Sequence, residues 1–183
     1  MRSHTYWWIL GGAGAAIAVL LVALLVIPGA DESDTTGDTT DVAVPSLSLG
    51  RAADQVATEA LTTIYTWQPA TDASPGVGLT RAARWLTGDL AAAAAAPPAD
   101  PPIRPPQWSA WARSGDVLRA SAEVIDRPTT TETEATRTVR VRQQIMHATG
   151  DLTPREPVVA TVHLVRGGGS WLIDDYRVLP GRN

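Results

Sequence analysis

The groups best suited to acid–base chemistry fall in the C-terminal part of the chain. They are His147, His163, Asp126, Asp174, Asp175 and Tyr176. A histidine beside an aspartate could act as a general base in a dehydratase or an isomerase, because imidazole titrates near neutral pH. Both histidines lie in segments of alternating apolar and polar residues, where a hydrogen-bonded structural histidine is ordinary. We therefore expect a protein that is not an enzyme. A small dehydratase or isomerase ranks third, after two non-enzymatic functions.

Metal and cofactor chemistry has less support in the sequence. The chain contains no cysteine, which excludes disulfides, thiol nucleophiles and zinc–thiolate sites. It also lacks an HExxH spacing, a GxSxG elbow and a GxxxxGK[ST] phosphate loop. Asp174 and Asp175 are adjacent, so a regular strand would point them to opposite faces unless a β-bulge realigned them. We expect a bulge or a strand-end pair there, and no cofactor or metal.

An uncharged run from Trp7 to Ile27 has the length of a membrane span. Aromatic residues at its start suit the headgroup layer, and Pro28 ends it. Arg2 precedes the run and acidic residues follow it, which favours a cytoplasmic N-terminus. We expect a short cytoplasmic segment at 1–6, a transmembrane helix at 7–27 and an extracytoplasmic remainder. A cleaved signal peptide is the alternative, but the run is longer than a usual signal core.

Residues 28–47 form an acidic, threonine-rich stretch with few large apolar groups, so we expect a tether there. Residues 48–183 have the size of one domain. All 19 acidic residues lie at or beyond Asp31, which argues against nucleic acid as a direct partner.

Helical periodicity covers the first part of this domain. From Arg51 to Trp67 small and branched apolar residues recur on one helical face, and we place the cap of this helix near Ser48. A second helix is predicted from Thr80 through the alanine run at 91–96 until Pro97 and Pro98 end it. The proline-rich stretch that follows, to Pro106, reads as an extended connector outside the core.

Beyond Gln107 the period changes to two-residue alternation, which indicates strands. Four are predicted, at 117–126, 137–149, 158–166 and 170–179, with a glycine turn at 167–169. In the first hairpin, apolar matching sets Val124 opposite Val139, Ala122 opposite Val141 and Glu123 opposite Arg140. The chain therefore belongs to the α+β class, with a helical pair packed on a curved antiparallel sheet.

This order of an anchor, two helices and long strands ending in GGGSWLIDDYRVL resembles the nuclear-transport-factor-like cone fold over residues 50–179. The ending, with Trp171, Ile173, Asp174 and Asp175, is similar to that of bitopic members. Two groups fit the layout: extracytoplasmic assembly domains of conjugation and type IV secretion channels, and membrane proteins associated with mammalian-cell-entry (Mce) lipid importers. The resemblance implies a curved sheet around helices with a pocket or a closed core. Polar groups for such a pocket would be His147, His163, Asp174 and Tyr176.

Trp108 and Trp111 lie in a polar, proline-flanked stretch that has no counterpart in those families. As an exposed pair they would suit a protein contact; alternatively they cover one edge of the core. We expect an assembly or scaffold subunit of a cell-envelope complex, anchored in the bilayer and binding other envelope proteins or further copies of itself. An accessory domain that binds lipid or another apolar ligand is the alternative, and an open apolar pocket would favour it.

Overall fold

The computed structural model of the chain describes residues 44–180, with side chains described from residue 47 onward. The predicted cytoplasmic segment, the span at 7–27 and most of the tether lie outside the described residues. Between residues 44 and 180, no helix is both long enough and apolar enough to cross a membrane.

Helix α1 runs from Val44 to Tyr65 and lies across one face of the sheet. Its sheet-facing side chains are mostly small, and they are buried: Ala53, Ala57, Ala60, Leu61 and Ile64. The amphipathic helix of the sequence analysis is confirmed. The cap near Ser48 is wrong, because the helix begins at Val44 and Ser48 lies inside it.

The predicted second helix is wrong as a continuous element. It divides into α2 (Gly76–Arg81), a 3-10 turn (Ala83–Trp85) and α3 (Gly88–Ala95). The break occurs because Leu86 adopts extended backbone, with φ −107° and ψ 152°, and pairs with Ile173 of the sheet. Tertiary pairing here overrides the helical preference of the local sequence.

The proline-rich connector from Pro97 to Pro106 contains no helix or strand, as predicted, and its Ile103 is 84% exposed. A further helix, α4 (Trp108–Ser114), follows it and was not predicted. Gly115 ends α4 in the left-handed conformation, with φ 72°, which a glycine adopts without a steric penalty.

The sheet is antiparallel and contains β1 (Val117–Thr130), β2 (Glu134–Met146), β3 (Leu152–Pro154), β4 (Val158–Gly167) and β5 (Ser170–Val178). The main strands lie in the order β1-β2-β4-β5, and β3 pairs with the end of β2. The four predicted strands are confirmed, but their bounds differ, most of all in the first two: β1 continues to Thr130, and β2 begins at Glu134 and ends at Met146. The short β3 was not predicted.

The predicted register of the first hairpin is confirmed. Val124 pairs with Val139, Ala122 with Val141 and Glu123 with Arg140. The Glu123 carboxylate accepts a hydrogen bond from Arg140 Nη1 at 2.9 Å. The α+β class with a curved antiparallel sheet is likewise confirmed.

Side chains fill the space between α1 and the sheet. The strands contribute Ala135, Val139, Val141, Ala160, Val162, Leu164, Trp171 and Ile173 to the same cluster as the buried face of α1. One charged group lies inside as well: Arg137 is 0% exposed and donates from Nε to Asp54 of α1 at 2.5 Å. Its Nη1 donates to the carbonyl oxygens of Thr129 and Thr136 and its Nη2 to that of Gly50, so each nitrogen of the buried cation has a partner.

Candidate functional site

His147 lies at the end of β2 nearest α4. Its Nδ1 is 3.1 Å from Asp116 Oδ1, and its Nε2 is 2.9 Å from Thr153 Oγ1. The pKa of Asp116 lies below its ordinary value, because the Ser114 hydroxyl and the His147 ring both contact the carboxylate. These contacts tie the start of β1, the end of β2 and β3 together.

A hydroxyl, a histidine and a carboxylate in this order are also the elements of a base-activated nucleophile. Such a nucleophile needs amide donors for the developing oxyanion. Thr153 pairs with Ile145. Two residues away on either side of this pair, the Arg155 amide donates to the Gln143 carbonyl and the His147 amide donates to the Asp151 carbonyl. Alternation therefore commits the Thr153 amide to the β2–β3 ladder. The Thr153 amide is therefore not available as such a donor.

His163 and Asp174 form a second, separate pair. His163 Nδ1 lies 3.7 Å from Asp174 Oδ2, on a part-exposed surface of β4 and β5. The pairing shifts here from His163–Asp175 to Leu164–Ile173, so Asp174 is the extra residue of a β-bulge. The sequence analysis expected a bulge or a strand-end pair at Asp174 and Asp175, and the bulge is present. Asp175 is held by Arg177 Nε at 3.0 Å.

Tyr176 lies beside the core cluster, packed against its buried residues. Burial raises its pKa, and burial together with Tyr176 raises the pKa of Tyr65 to about 12. Both hydroxyls therefore remain protonated at neutral pH and cannot act as bases there.

Of the four residues proposed for a pocket, His163 and Asp174 lie 3.7 Å apart, whereas His147 is far from them. His163 pairs with Thr136, whereas His147 follows Met146, ten residues further along β2. Ten strand residues span roughly 33 Å. Within residues 44–180, no group of three His, Asp or Glu side chains has the geometry of a metal site.

Trp108 and Trp111 are buried, at 3% and 8% exposure, so they do not form an exposed pair. They pack with Leu118 and Trp67. This is the second of the two alternatives, in which the two tryptophans cover one end of the core. The Arg155 guanidinium lies 5.3 Å from the Trp111 ring centroid and 5.8 Å from that of Trp67. α4 was not recognised in the sequence because its seven residues follow a proline-rich run.

A feature that the sequence analysis missed is the outer edge of β1. Near its start, Leu118 exchanges two main-chain hydrogen bonds of 2.9 Å with Trp67. The Ala120 amide donates to Thr66 Oγ1 at 3.2 Å. Since alternate residues of an edge strand point their N–H and C=O outward, Ala122 and Val124 present theirs on the same side. In the part of the chain that the structure describes, nothing pairs with them.

A groove runs along this edge. Its volume is ≈540 Å³, and it separates Ala120, Ser121 and Ala122 of β1 from side chains of α1 and the 3-10 turn, namely Thr58, Glu59, Thr62, Thr63, Arg84 and Trp85. The Arg84 guanidinium stacks on the Trp85 ring, 3.9 Å from its centroid. We name this feature the β1 groove. The signal in the sequence was the run of small residues Ala120, Ser121 and Ala122 on a strand, which leaves space beside a helix.

Comparison with known proteins does not identify a family. No family model matches the chain, and no curated protein matches it. Among solved structures, the intermembrane-space region of the chloroplast protein ARC6 is 13% identical with a TM-score of 0.40, covering 72% of this chain and 96% of that one. The periplasmic domain of DotI is 14% identical with a TM-score of 0.42, covering 72% and 95%. Nothing about function follows from similarities this low.

Proposed function

We propose that the chain is a membrane-anchored assembly or scaffold subunit of a cell-envelope complex, of the kind found in conjugation or secretion channels, and that it turns over no substrate. In this proposal residues 7–27 anchor the protein and the domain from residue 48 lies outside the cytoplasm. The domain acts by contacting other envelope proteins.

The observation that carries this proposal is the filled interior of the domain. A cone that serves a ligand keeps a concave, largely apolar pocket between helix and sheet. Here Leu61 of α1, Val139 of β2 and Leu164 of β4 are fully buried in that position, together with the paired Arg137. Because its own side chains occupy the interior, such a domain contacts other molecules through its surface.

The placement of the titratable groups supports the same function. A general base and its partner must meet at one substrate. His147 is engaged by Asp116 and Thr153, and His163 lies beside Asp174 on a different part of the sheet. Each histidine contacts side chains of its own sheet region, and the two are not directed at one common site, which is compatible with an assembly domain.

The alternative is an accessory domain that binds lipid or another apolar ligand, as for an Mce-type importer. One observation favours it: a groove of ≈520 Å³ between α2, α3 and the proline connector, lined largely by alanines and prolines together with Val77, Leu79 and Ile103. This groove lies outside the helix–sheet interior.

Gentle extraction of the full-length protein from its native membranes tests the proposal. We expect other envelope polypeptides to co-purify, and we expect His147→Ala and Asp174→Asn variants to retain the same partners, because neither residue is assigned a chemical role. Lipid analysis of the same preparation by mass spectrometry should find no ligand in stoichiometric amount. A monomer without partners, or one that carries one apolar molecule per chain, would contradict the proposal.

The placement of the domain is tested separately. Protease added to intact spheroplasts should digest residues beyond the anchor. Full protection of the domain, or its release as a soluble species beginning at Asp31, would contradict the anchored, extracytoplasmic arrangement.

A further inference from the structure

We propose that the β1 groove binds an extended peptide segment of a partner protein, which adds to β1 as a further antiparallel or parallel strand. The inference rests on the proposed assembly function and names the surface and the kind of partner. The partner segment is a short strand with small or medium apolar side chains at alternate positions and an acidic side chain near Arg84.

The main chain supplies the first part of the argument. Ala122 and Val124 each direct an N–H and a C=O outward, away from β2, and both lie in well-formed pairs with Val141 and Val139. An extended peptide would hydrogen-bond to these outward N–H and C=O groups in the same kind of ladder that β2 forms on the other side of β1. The chain already uses this edge once, where Trp67 pairs with Leu118. A bound segment would continue that pairing along β1.

The available edge has defined ends. Trp67 and Thr66 occupy it up to Ala120. At the other end the ladder is interrupted between Val124 and Asp126, and again before Thr129. Bulges of this kind end strand pairing, and Pro128 in the same stretch has no N–H to donate. The free edge thus covers about five residues, which suits a peptide segment and not a whole sheet.

The side chains beside the edge determine what kind of segment fits. Alternate side chains of an added strand would enter the groove above Ala120 and Ala122, whose small size leaves room for a residue such as valine. The opposite wall consists of Thr58 and Thr62 on α1, which offers hydroxyl and methyl groups. Small or medium apolar residues are therefore favoured at every second position.

Charge gives the second element of specificity. Two charged side chains line the groove, Glu59 and Arg84. Glu59 accepts a hydrogen bond from Gln55 Nε2 at 2.8 Å. Arg84 contacts the Trp85 ring, and no carboxylate in the described part of the chain pairs with it. An acidic residue of the partner strand is the complement to this cation.

A second copy of the chain is the competing occupant. Two β1 edges joined around a twofold axis would place both α1 helices on the same face of the joined sheet, opposite each other across the groove. We assign the edge to a partner peptide because Arg84 in the groove has no carboxylate partner among the described residues, and a peptide segment can supply one.

A proline substitution tests the main-chain part of the proposal. Ala122→Pro removes an N–H that points away from β2, so it leaves the β1–β2 ladder intact and blocks only the outward bond. Thr62→Arg fills the groove from α1 without changing the strand. Glu123→Ala is the matched control, because its side chain lies on the other face of β1, where it pairs with Arg140. Circular dichroism and thermal unfolding establish that each variant is folded.

The probe is a displayed library of random heptapeptides selected on the full-length protein in detergent, with fluorescence anisotropy of the enriched peptides. We expect alternating apolar peptides with an acidic residue. We also expect Ala122→Pro and Thr62→Arg to weaken their binding about tenfold or more, and Glu123→Ala to leave it unchanged. Equal binding to the Ala122→Pro variant, or no peptide that binds below about 100 µM, would overturn the proposal.

Two further readouts separate the possible failures. If the wild type self-associates in sedimentation experiments and Ala122→Pro abolishes this, the occupant is a second copy and the peptide assignment is wrong. If envelope proteins still co-purify with the Ala122→Pro and Thr62→Arg variants, the edge is not the docking site, although the assembly function stands. Absence of co-purifying proteins from the wild type would instead contradict the proposed function itself.

Discussion

The two edges of the sheet are treated differently by the rest of the chain. At the β5 edge, the Thr87 amide donates to the Ile173 carbonyl at 2.9 Å, and the Asp174 bulge follows directly. At the β1 edge, Trp67 pairs with Leu118, and within residues 44–180 nothing pairs with the outward groups of Ala122 and Val124. Both edges belong to one sheet, and they differ in which residues pair with them.

Exposed edges promote unwanted pairing, and proteins usually shorten, bulge or cover them. Leu86 and Thr87, at the break in the predicted second helix, cover β5 at Ile173. On β1, the bulges near Asp126 protect the distal half and leave a short open stretch. An edge left open over a short length, with a groove beside it, is what strand addition by a partner requires.

The largest effect is expected from breaking the ion pair that fixes the distal end of β1. Arg137 is fully buried, and besides Asp54 it contacts the Thr129 carbonyl of β1. Asp54→Ala leaves that cation without a counter-charge, which costs about 3–5 kcal/mol of unfolding free energy. Urea unfolding of the full-length protein in detergent measures this loss. Arg51→Ala, on an exposed position of the same helix, is the control and should change stability by less than about 0.5 kcal/mol.

If the Asp54→Ala variant were as stable as the wild type, the buried arginine would not need its carboxylate, and main-chain pairing alone would hold β1.

A smaller loss is expected where α2 is held close to α1, because α2 leads into the segment that covers the β5 edge. A β-carbon on Gly78 would overlap the Ile64 carbonyl. Gly78→Ala should therefore destabilise the protein by about 1–3 kcal/mol and speed hydrogen exchange at the Thr87 amide. Gly76→Ala serves as the control, since its β-carbon would meet Ser74 Oγ at an ordinary 3.4 Å. Equal exchange in the two variants would show that α2 does not hold the cover in place.

A weaker effect should appear on acidification at the α4 end. The pKa of Asp116 is lowered in the folded state by Ser114 and His147. A lowered pKa stabilises the fold above the ordinary value of about 3.9, and this stabilisation is lost as the pH falls through the lowered pKa. Asp116→Asn should therefore be less stable than the wild type at pH 6 and closer to it at pH 2. A constant difference across that range would contradict this assignment.

The smallest effect is expected on the outer face of β1. Arg142 and Arg140 lower the pKa of Glu123, but all three side chains are well exposed. Exposed ion pairs contribute little and are screened by salt. Glu123→Gln should leave the thermal midpoint unchanged at 0.15 M salt, which scanning calorimetry can measure. A clear drop in the midpoint would mean that the pair, rather than apolar burial, sets the register of the hairpin.

The sheet was predictable because one face is buried and strands alternate with a period of two. A one-residue slip in β1 would have exposed Ala122 and Val124, so the apolar pattern determined the register with Val141 and Val139. At Asp174 and Asp175 the sequence left a bulge and a strand-end pair as alternatives, and the shift in pairing at Asp174 shows that the bulge is present.

The helical part was less predictable because long-range contacts decide it. Nothing local to Leu86 shows that Ile173 will pair with it and interrupt a helix. Likewise Arg137 has the core-facing parity of Val139 and Val141, and nothing local shows that Asp54, far away in the chain, will provide its counter-charge. The β1 groove was predictable only in part. The small residues Ala120, Ser121 and Ala122 indicate space beside a helix, but sequence periodicity does not encode how far α1 stands from the strand.

Hydrogen exchange of the protein in its native membranes, compared with the same protein purified to a single chain, tests the central claim most directly. The account predicts rapid exchange at the Ala122 and Val124 amides in the purified protein and strong protection of both in the membrane, while the Thr87 amide is protected equally in the two samples. Identical exchange throughout residues 44–180 in the two samples would contradict assembly through this domain.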